Sequence, residues 1–249
     1  MLYYIMLEIK EIDSGLKIAS GVKEKMDINI VNVNENIPHR NGFIYAMTGS
    51  GGSGKSSLLL SMFKSTKFYR KKFDNIYLFT PRSSFLSVEK HPFETHDKVY
   101  HDLSIPILNT IYEELNDLKQ NAIDEGTPIE NSIIIIDDYA NALKDHELTV
   151  FLNKLIIKAR HLSCCFIFTL QSYYLLPLIL RKQITNVSIF KCKNKKEWET
   201  IADELLNMDK IKALEMYNYI FNEAYAHLDY DTLNSNVYKN FNKLEILEK

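Results

Sequence analysis

A chain of 249 residues, 46% apolar and 25% charged, has room for one large α/β domain with short additions at its ends. Its 30 basic side chains against 32 acidic ones leave a formal charge of −2, so no global field attracts a polyanion and any nucleic-acid contact has to be local. Cys164, Cys165 and Cys192 have neither disulfide-framework nor zinc spacing and read as buried free thiols of a reducing compartment. The opening run Met1–Glu8 is too short and too soon charged for a membrane span or a signal peptide, which points to a cytoplasmic protein with no membrane span.

In chain order, Leu2–Ile9 and Ile28–Val33 are short β-like stretches that predict an N-terminal β addition over residues 1–40. One large α/β domain is expected over 41–249, with its core at 42–192 and a helical and weakly β extension at 193–249. Phe43–Met47 reads as a strand running into glycines, Lys55–Lys64 as the helix that follows, and Asn75–Thr80 as a strand closed by Pro81. Lys98–His101 is a further candidate strand. Ile107–Ala122 is a helix with Ile107, Ile111, Leu115 and Leu118 on one face. Asn131–Asp137 carries four consecutive isoleucines, as a parallel strand buried on both faces does. Apolar positions 148, 151, 152, 155, 156 and 159 have helical spacing. Cys164–Leu170 and Val187–Cys192 are strands, Lys195–Leu206 and Lys210–Phe221 helices, and the tail from Ala224 is weakly β. This alternation predicts a doubly wound, mostly parallel α/β sheet.

The junction of the first core strand and helix carries chemistry. Four of the chain's eight glycines fall within Gly49-Ser50-Gly51-Gly52-Ser53-Gly54-Lys55-Ser56-Ser57. Glycines there let backbone N–H groups close on phosphate oxygens. Lys55 reaches the terminal phosphates, Ser56 can ligate magnesium, and the helix N-terminus adds its positive end. A flexible Gly/Ser turn would need neither the lysine nor the strand and helix around it. The loop therefore predicts ATP with Mg2+.

Downstream, Ile133-Ile134-Ile135-Ile136-Asp137-Asp138 ends a buried strand in two carboxylates, a costly arrangement unless cation or water meets them. Asp137 suits the metal shell, and Asp138 suits orienting or deprotonating the attacking water. A helix cap at Asp138, over Tyr139-Ala140-Asn141, is the alternative. Gln171, ending Phe166-Ile167-Phe168-Thr169-Leu170-Gln171, can reach a γ-phosphate or the lytic water, or simply close its strand.

Taken in order, the phosphate loop, the Leu78-Phe79-Thr80-Pro81 strand end, the isoleucine strand with its Asp pair, Arg160-His161, Gln171-Ser172-Tyr173, Pro177 and Arg181 resemble the genome-packaging ATPases of the FtsK–HerA superfamily. The type is that of nucleocytoplasmic large DNA viruses and virophages, and the resemblance spans about residues 42–192. It implies a homo-oligomeric ring that uses ATP to drive double-stranded DNA, without reading sequence, into a preformed capsid through its vertex. It also implies the host cytoplasm (the virus factory) as location, with the virion as a second one. By position, Lys55 and Ser56 bind nucleotide and magnesium, Asp137 the metal, Asp138 the water, and Gln171 the γ-phosphate. The departure is Asp138, where many members of the wider superfamily have Glu. An arginine from a neighbouring subunit would neutralise transition-state charge. Arg160, within the Arg-His pair, is favoured over Arg181, which can be a helix-end charge.

Basic runs at Lys67–Lys72 and Lys191–Lys196, the second near Trp198, could track DNA phosphates or be plain surface charge. The alternatives are a cellular DNA pump of the same superfamily, a nucleotide kinase, or a nucleotide-dependent assembly switch. No lid segment suggests a kinase, and no Asn-Lys-x-Asp motif suggests a GTPase.

Overall fold

The computed structural model describes residues 28–246. Within them one nine-stranded sheet runs in the order β3-β2-β4-β5-β1-β6-β7-β8-β9. The strands are β1 (Ile44–Thr48), β2 (Asn75–Phe79), β3 (Val99–Tyr100), β4 (Ser132–Asp137), β5 (Cys164–Leu170), β6 (Asn186–Phe190), β7 (His227–Asp231), β8 (Asn236–Lys239) and β9 (Asn242–Lys243). From β3 across to β6 every pairing is parallel. From β6 to β9 every pairing is antiparallel. The doubly wound reading holds for the parallel part, and the weakly β tail becomes an antiparallel extension of the same sheet.

The isoleucine strand explains why the sheet is buried on both faces. Side chains of β4 alternate across the pleat. Ile134 and Ile136 enter one core, whereas Ile133 and Ile135 enter another. Full burial of each such side chain stabilises the fold by roughly 1.5–3 kcal/mol. The first core is roofed by α3 (Ile105–Glu125), α4 (His146–Ile157), α6 (Lys195–Leu206) and α7 (Lys210–Ile220). The second is covered by α1 (Lys55–Lys64) through Leu59, Met62 and Phe63. Two short helices, α2 (Arg82–Leu86) and α5 (Leu178–Arg181), were not foreseen, because one turn of helix carries too little periodicity to read.

Three expectations need correction or fall outside the structure. Leu2–Ile9 lies outside the described residues. Ile28–Val33 is not a strand: Asn29 makes only an isolated bridge to Arg40, while Ile30 and Ile37 plug into the second core. Of the apolar residues in this turn-rich segment, Ile30 is buried and Val33 partly so, whereas Ile28 and Val31 are exposed. Helix α3 buries Leu108, Ile111, Leu115 and Ala122, leaving Ile107 and Leu118 only partly covered. It starts earlier than expected because Pro106 is tolerated in a first turn, and it stops at Gly126, whose φ of 68° supplies the left-handed cap.

The C-terminal strands are tied to the parallel sheet by a buried polar chain. Tyr45 and Ser188 are hydrogen-bonded, and Ser188 donates to Asp229. Asp229 also meets His227 Nδ1 at 2.7 Å and accepts from the Phe241 N–H at 2.8 Å. Both Asp229 carboxylate oxygens have partners, which is the condition under which such a network can stay buried. Trp198 is fully buried, with its indole N–H donating to the Ala213 carbonyl at 2.7 Å. It locks α6 to α7 and is not available to stack on nucleic acid. The three cysteines are free and buried.

Candidate nucleotide site

The strand order builds the site. The phosphate loop leaves the end of β1 and the acidic pair leaves the end of β4, with β5 hydrogen-bonded between them. The register pairs Thr48 with Leu170 and Asp137 with Thr169, so loop, carboxylates and Gln171 emerge at one sheet edge. This is where ligands sit in open α/β sheets, beyond the carboxyl ends of the strands.

The loop itself is held by the Gly49 N–H donating to the Leu170 carbonyl at 3.1 Å and the Ser53 N–H to Ser50 at 3.1 Å. Helix α1 begins at Lys55 with no side-chain cap and no acidic residue in its first turn. Its first N–H groups and positive dipole end therefore suit an anion. Lys55 Nζ lies over the loop, donating to the carbonyls of Gly49 at 2.5 Å and Ser50 at 3.1 Å. Burial lowers its pKa, and the charges of Asp138 and then Asp137 partly offset that. The ammonium is thus a desolvated cation that a phosphate would compensate. Ser56 and Ser57 are exposed on the first turn of α1.

Asp137 is oriented by two threonines from the neighbouring strands. Thr80 Oγ1 donates to one carboxylate oxygen at 3.1 Å and Thr169 Oγ1 to the other. Neither threonine was singled out from the sequence as a site residue. The available signal was a lone hydroxyl at the end of each apolar strand that flanks β4. Asp137 is half-buried, whereas Asp138 is exposed. The backbone of Asp138 is left-handed at φ 59°, and its N–H donates to Thr169 Oγ1 at 3.1 Å. Its side chain meets Gln171 Nε2 at 3.5 Å, a long contact. Asp138 caps no helix: the cap of α4 is Asp145, which accepts from the Leu148 N–H at 2.9 Å. Tyr139 follows, its phenol pushed up to about 12 by burial and by the charges of Asp102 and Asp137, so it stays protonated at neutral pH.

A hard divalent cation fits this donor set. One oriented carboxylate at Asp137 and one hydroxyl at Ser56, completed by phosphate oxygens and water, is how Mg2+ is held in phosphate-transfer sites. Among the described residues no cluster of three or more His, Cys, Asp or Glu exists, so a metal at this edge would depend on the nucleotide for ligands.

The two arginines are elsewhere. Arg160 precedes β5, so the full length of that strand, roughly 20 Å at ~3.3 Å per residue, separates it from its own phosphate loop. It packs under Gly42, where an added Cβ would come within 2.7 Å of the Arg160 backbone and φ is already +72°. Gly42→Ala should therefore lower stability by about 1–3 kcal/mol, read as a drop in the urea midpoint. An unchanged midpoint would mean that the Arg160 backbone is not pinned there. Arg181, at the end of α5, pairs with Glu204 at 3.2 Å and lies over the Tyr174 ring at 4.8 Å. Of the basic runs, Lys67, Arg70 and Lys71 are exposed on the turn after α1, while Lys191 and Lys193 border a cavity of about 590 Å³ beside the phosphate loop.

A phosphate loop ending β1, an acidic pair ending β4 and a polar strand end between them define a P-loop NTPase. The family model described as "Poxvirus A32 protein" matches residues 32–227. The chain belongs to the poxvirus A32 protein family. No curated protein sequence matches it.

Several solved structures share its fold. The DNA-packaging ATPase B204 from Sulfolobus Turreted Icosahedral Virus is 18% identical with a TM-score of 0.58, covering 83% of this chain and 98% of that one. The genome packaging NTPase B204 from Sulfolobus turreted icosahedral virus 2, in complex with ATP-gammaS, is 17% identical with a TM-score of 0.53, covering 83% and 99%. The pCW3 conjugation coupling protein TcpA, with ATPgS, is 11% identical with a TM-score of 0.55, covering 76% and 57%. The resemblance read from the motif order is borne out at the level of family and fold. No described helix is long and apolar enough to cross a membrane.

Proposed function

We propose that this chain is an ATP-hydrolysing motor that moves double-stranded DNA into a preformed viral capsid. The observation that carries the reading is the meeting of Lys55, Asp137, Asp138 and Gln171 at one sheet edge, in an A32-family chain that shares its fold with viral packaging ATPases.

In this reading the loop N–H groups and Lys55 hold the β- and γ-phosphates and fix the terminal phosphorus for in-line attack. Ser56 and Asp137 would hold Mg2+, which when bound neutralises phosphate charge. Thr80 and Thr169 keep the Asp137 carboxylate turned to that position. Asp138 orients the attacking water and takes its proton as the new P–O bond forms, and ADP leaves with the γ-phosphate split off as inorganic phosphate. Gln171, between water and γ-phosphate, registers whether the phosphate is present. Arg160 is assigned to the site of a neighbouring subunit in a ring, because the length of β5 keeps it from its own.

The DNA contact would run through phosphates and so be indifferent to sequence and sensitive to salt. Turnover should rise on adding duplex DNA, equally for two unrelated sequences, and the rise should fade as salt increases. Mass measurement with ATP and duplex should find a closed oligomer at the capsid-free stage. Turnover indifferent to duplex, from a chain that stays monomeric, would sink the motor reading while leaving the ATPase intact.

A further inference from the structure

The phosphate half of the site is built from the loop and β4, which leaves the nucleoside half without an owner. Beside the loop lies the cavity of about 590 Å³, whose lining includes Lys191, Lys193, Tyr217, Phe221 and Tyr225. Two of these aromatics are committed elsewhere. Tyr217 donates its hydroxyl to the Cys192 carbonyl at 3.2 Å, and Phe221 packs edge-on to buried Trp198 at 5.5 Å. Tyr225 is different: it is 70% exposed.

Its backbone is different too. Tyr225 sits in the turn before β7 with φ +61°, a conformation that a bulky side chain adopts at a cost. Burial does not repay that cost, since the residue stays mostly exposed. What the conformation achieves is position. A Cβ added to Gly54 would meet Tyr225 Cδ1 at 3.2 Å, so the ring edge lies against the junction where the loop becomes α1. A flat, exposed π-face at the wall of a cavity that opens from a phosphate cradle is a stacking surface for a base.

We propose that Tyr225 is the platform on which the base of the bound nucleotide stacks, so that the C-terminal extension supplies the nucleoside half of the site. This rests on ATP occupying the phosphate loop. Stacking uses a π-face that every base offers, so Tyr225 contributes affinity and not a choice among bases. Lys191 and Lys193 flank the opening as cations and do not enter the stack.

The test is calorimetric titration of the full chain with ATP and, separately, with inorganic tripolyphosphate, which has the phosphates but no base. Tyr225→Ala should weaken ATP by about ten-fold or more and leave tripolyphosphate unchanged. Tyr225→Phe keeps the ring and should bind ATP as wild type does. Equal loss of both ligands would mean that the substitution disturbs the loop, and unchanged ATP affinity would mean that no stack exists; either overturns the platform. A wild-type chain that binds neither ligand would overturn the nucleotide reading itself, and the platform with it.

Discussion

Lys55→Ala is expected to lose ATP turnover by a factor of at least about 10³ while keeping its fold. The argument is electrostatic. The ammonium is half-buried among loop carbonyls, its pKa lowered by burial, and it donates to the carbonyls of Gly49 and Ser50. In the folded chain its charge is therefore a cost, and removing it should leave the thermal midpoint unchanged or slightly higher. In the proposed nucleotide complex the same charge would face the phosphates, where little solvent would screen it. Steady-state turnover and thermal unfolding, each with and without ATP, separate the two effects. Wild type should gain stability on adding ATP by linkage, and the variant should gain far less. A variant that turns over at the wild-type rate would remove the loop from the chemistry.

The second large effect is expected at a distance. Arg160→Ala should bind ATP normally and fail to hydrolyse it, because the length of β5 separates Arg160 from its own loop and places any catalytic use of it in a neighbour's site. Asp138→Asn should fail for the opposite reason, keeping its arginine but losing the base. A transition-state arginine supplies roughly 10³–10⁵ in related phosphoryl-transfer sites. Mixing the two inactive proteins should then restore part of the turnover. In a mixed ring, an Arg160→Ala subunit keeps its acidic pair and can borrow the arginine of an adjacent Asp138→Asn subunit. Mixed rings verified by mass, yet inactive, would count against Arg160. The role would then pass to Arg181, whose guanidinium is at present engaged by Glu204 and Tyr174.

Much of this molecule is legible from the order of its residues. Helix α1 at Lys55–Lys64, β5 at Cys164–Leu170 and α6 at Lys195–Leu206 all stand where the pattern of apolar residues places them. Their signals are local: glycines before a lysine, an unbroken apolar run between polar ends, an apolar stripe at helical spacing. The phosphate loop and the acidic pair are local in the same sense, because each is one contiguous segment whose chemistry depends on its own spacing. The class of protein therefore follows from the sequence by itself.

What only the tertiary structure decided is who stands next to whom. Nothing in the run of residues orders β5 between β1 and β4, yet that insertion is what aims Gln171 between loop and carboxylates. Thr80 reaches Asp137 across 57 positions and Thr169 across 32, so no window of sequence contains either pair. The weakly β tail shows no sign of where it joins, because antiparallel pairing to β6 is settled by register and by the buried Ser188–Asp229 contact, 41 positions apart. Tyr225 reads as one more aromatic among fifteen tyrosines until the turn before β7 presses it against Gly54. Arg160 reads as part of a motif until the length of β5 carries it to the far end of the sheet. Spacing along a chain encodes the conformation of each segment, while contacts between distant segments depend on how all the buried faces are satisfied at once.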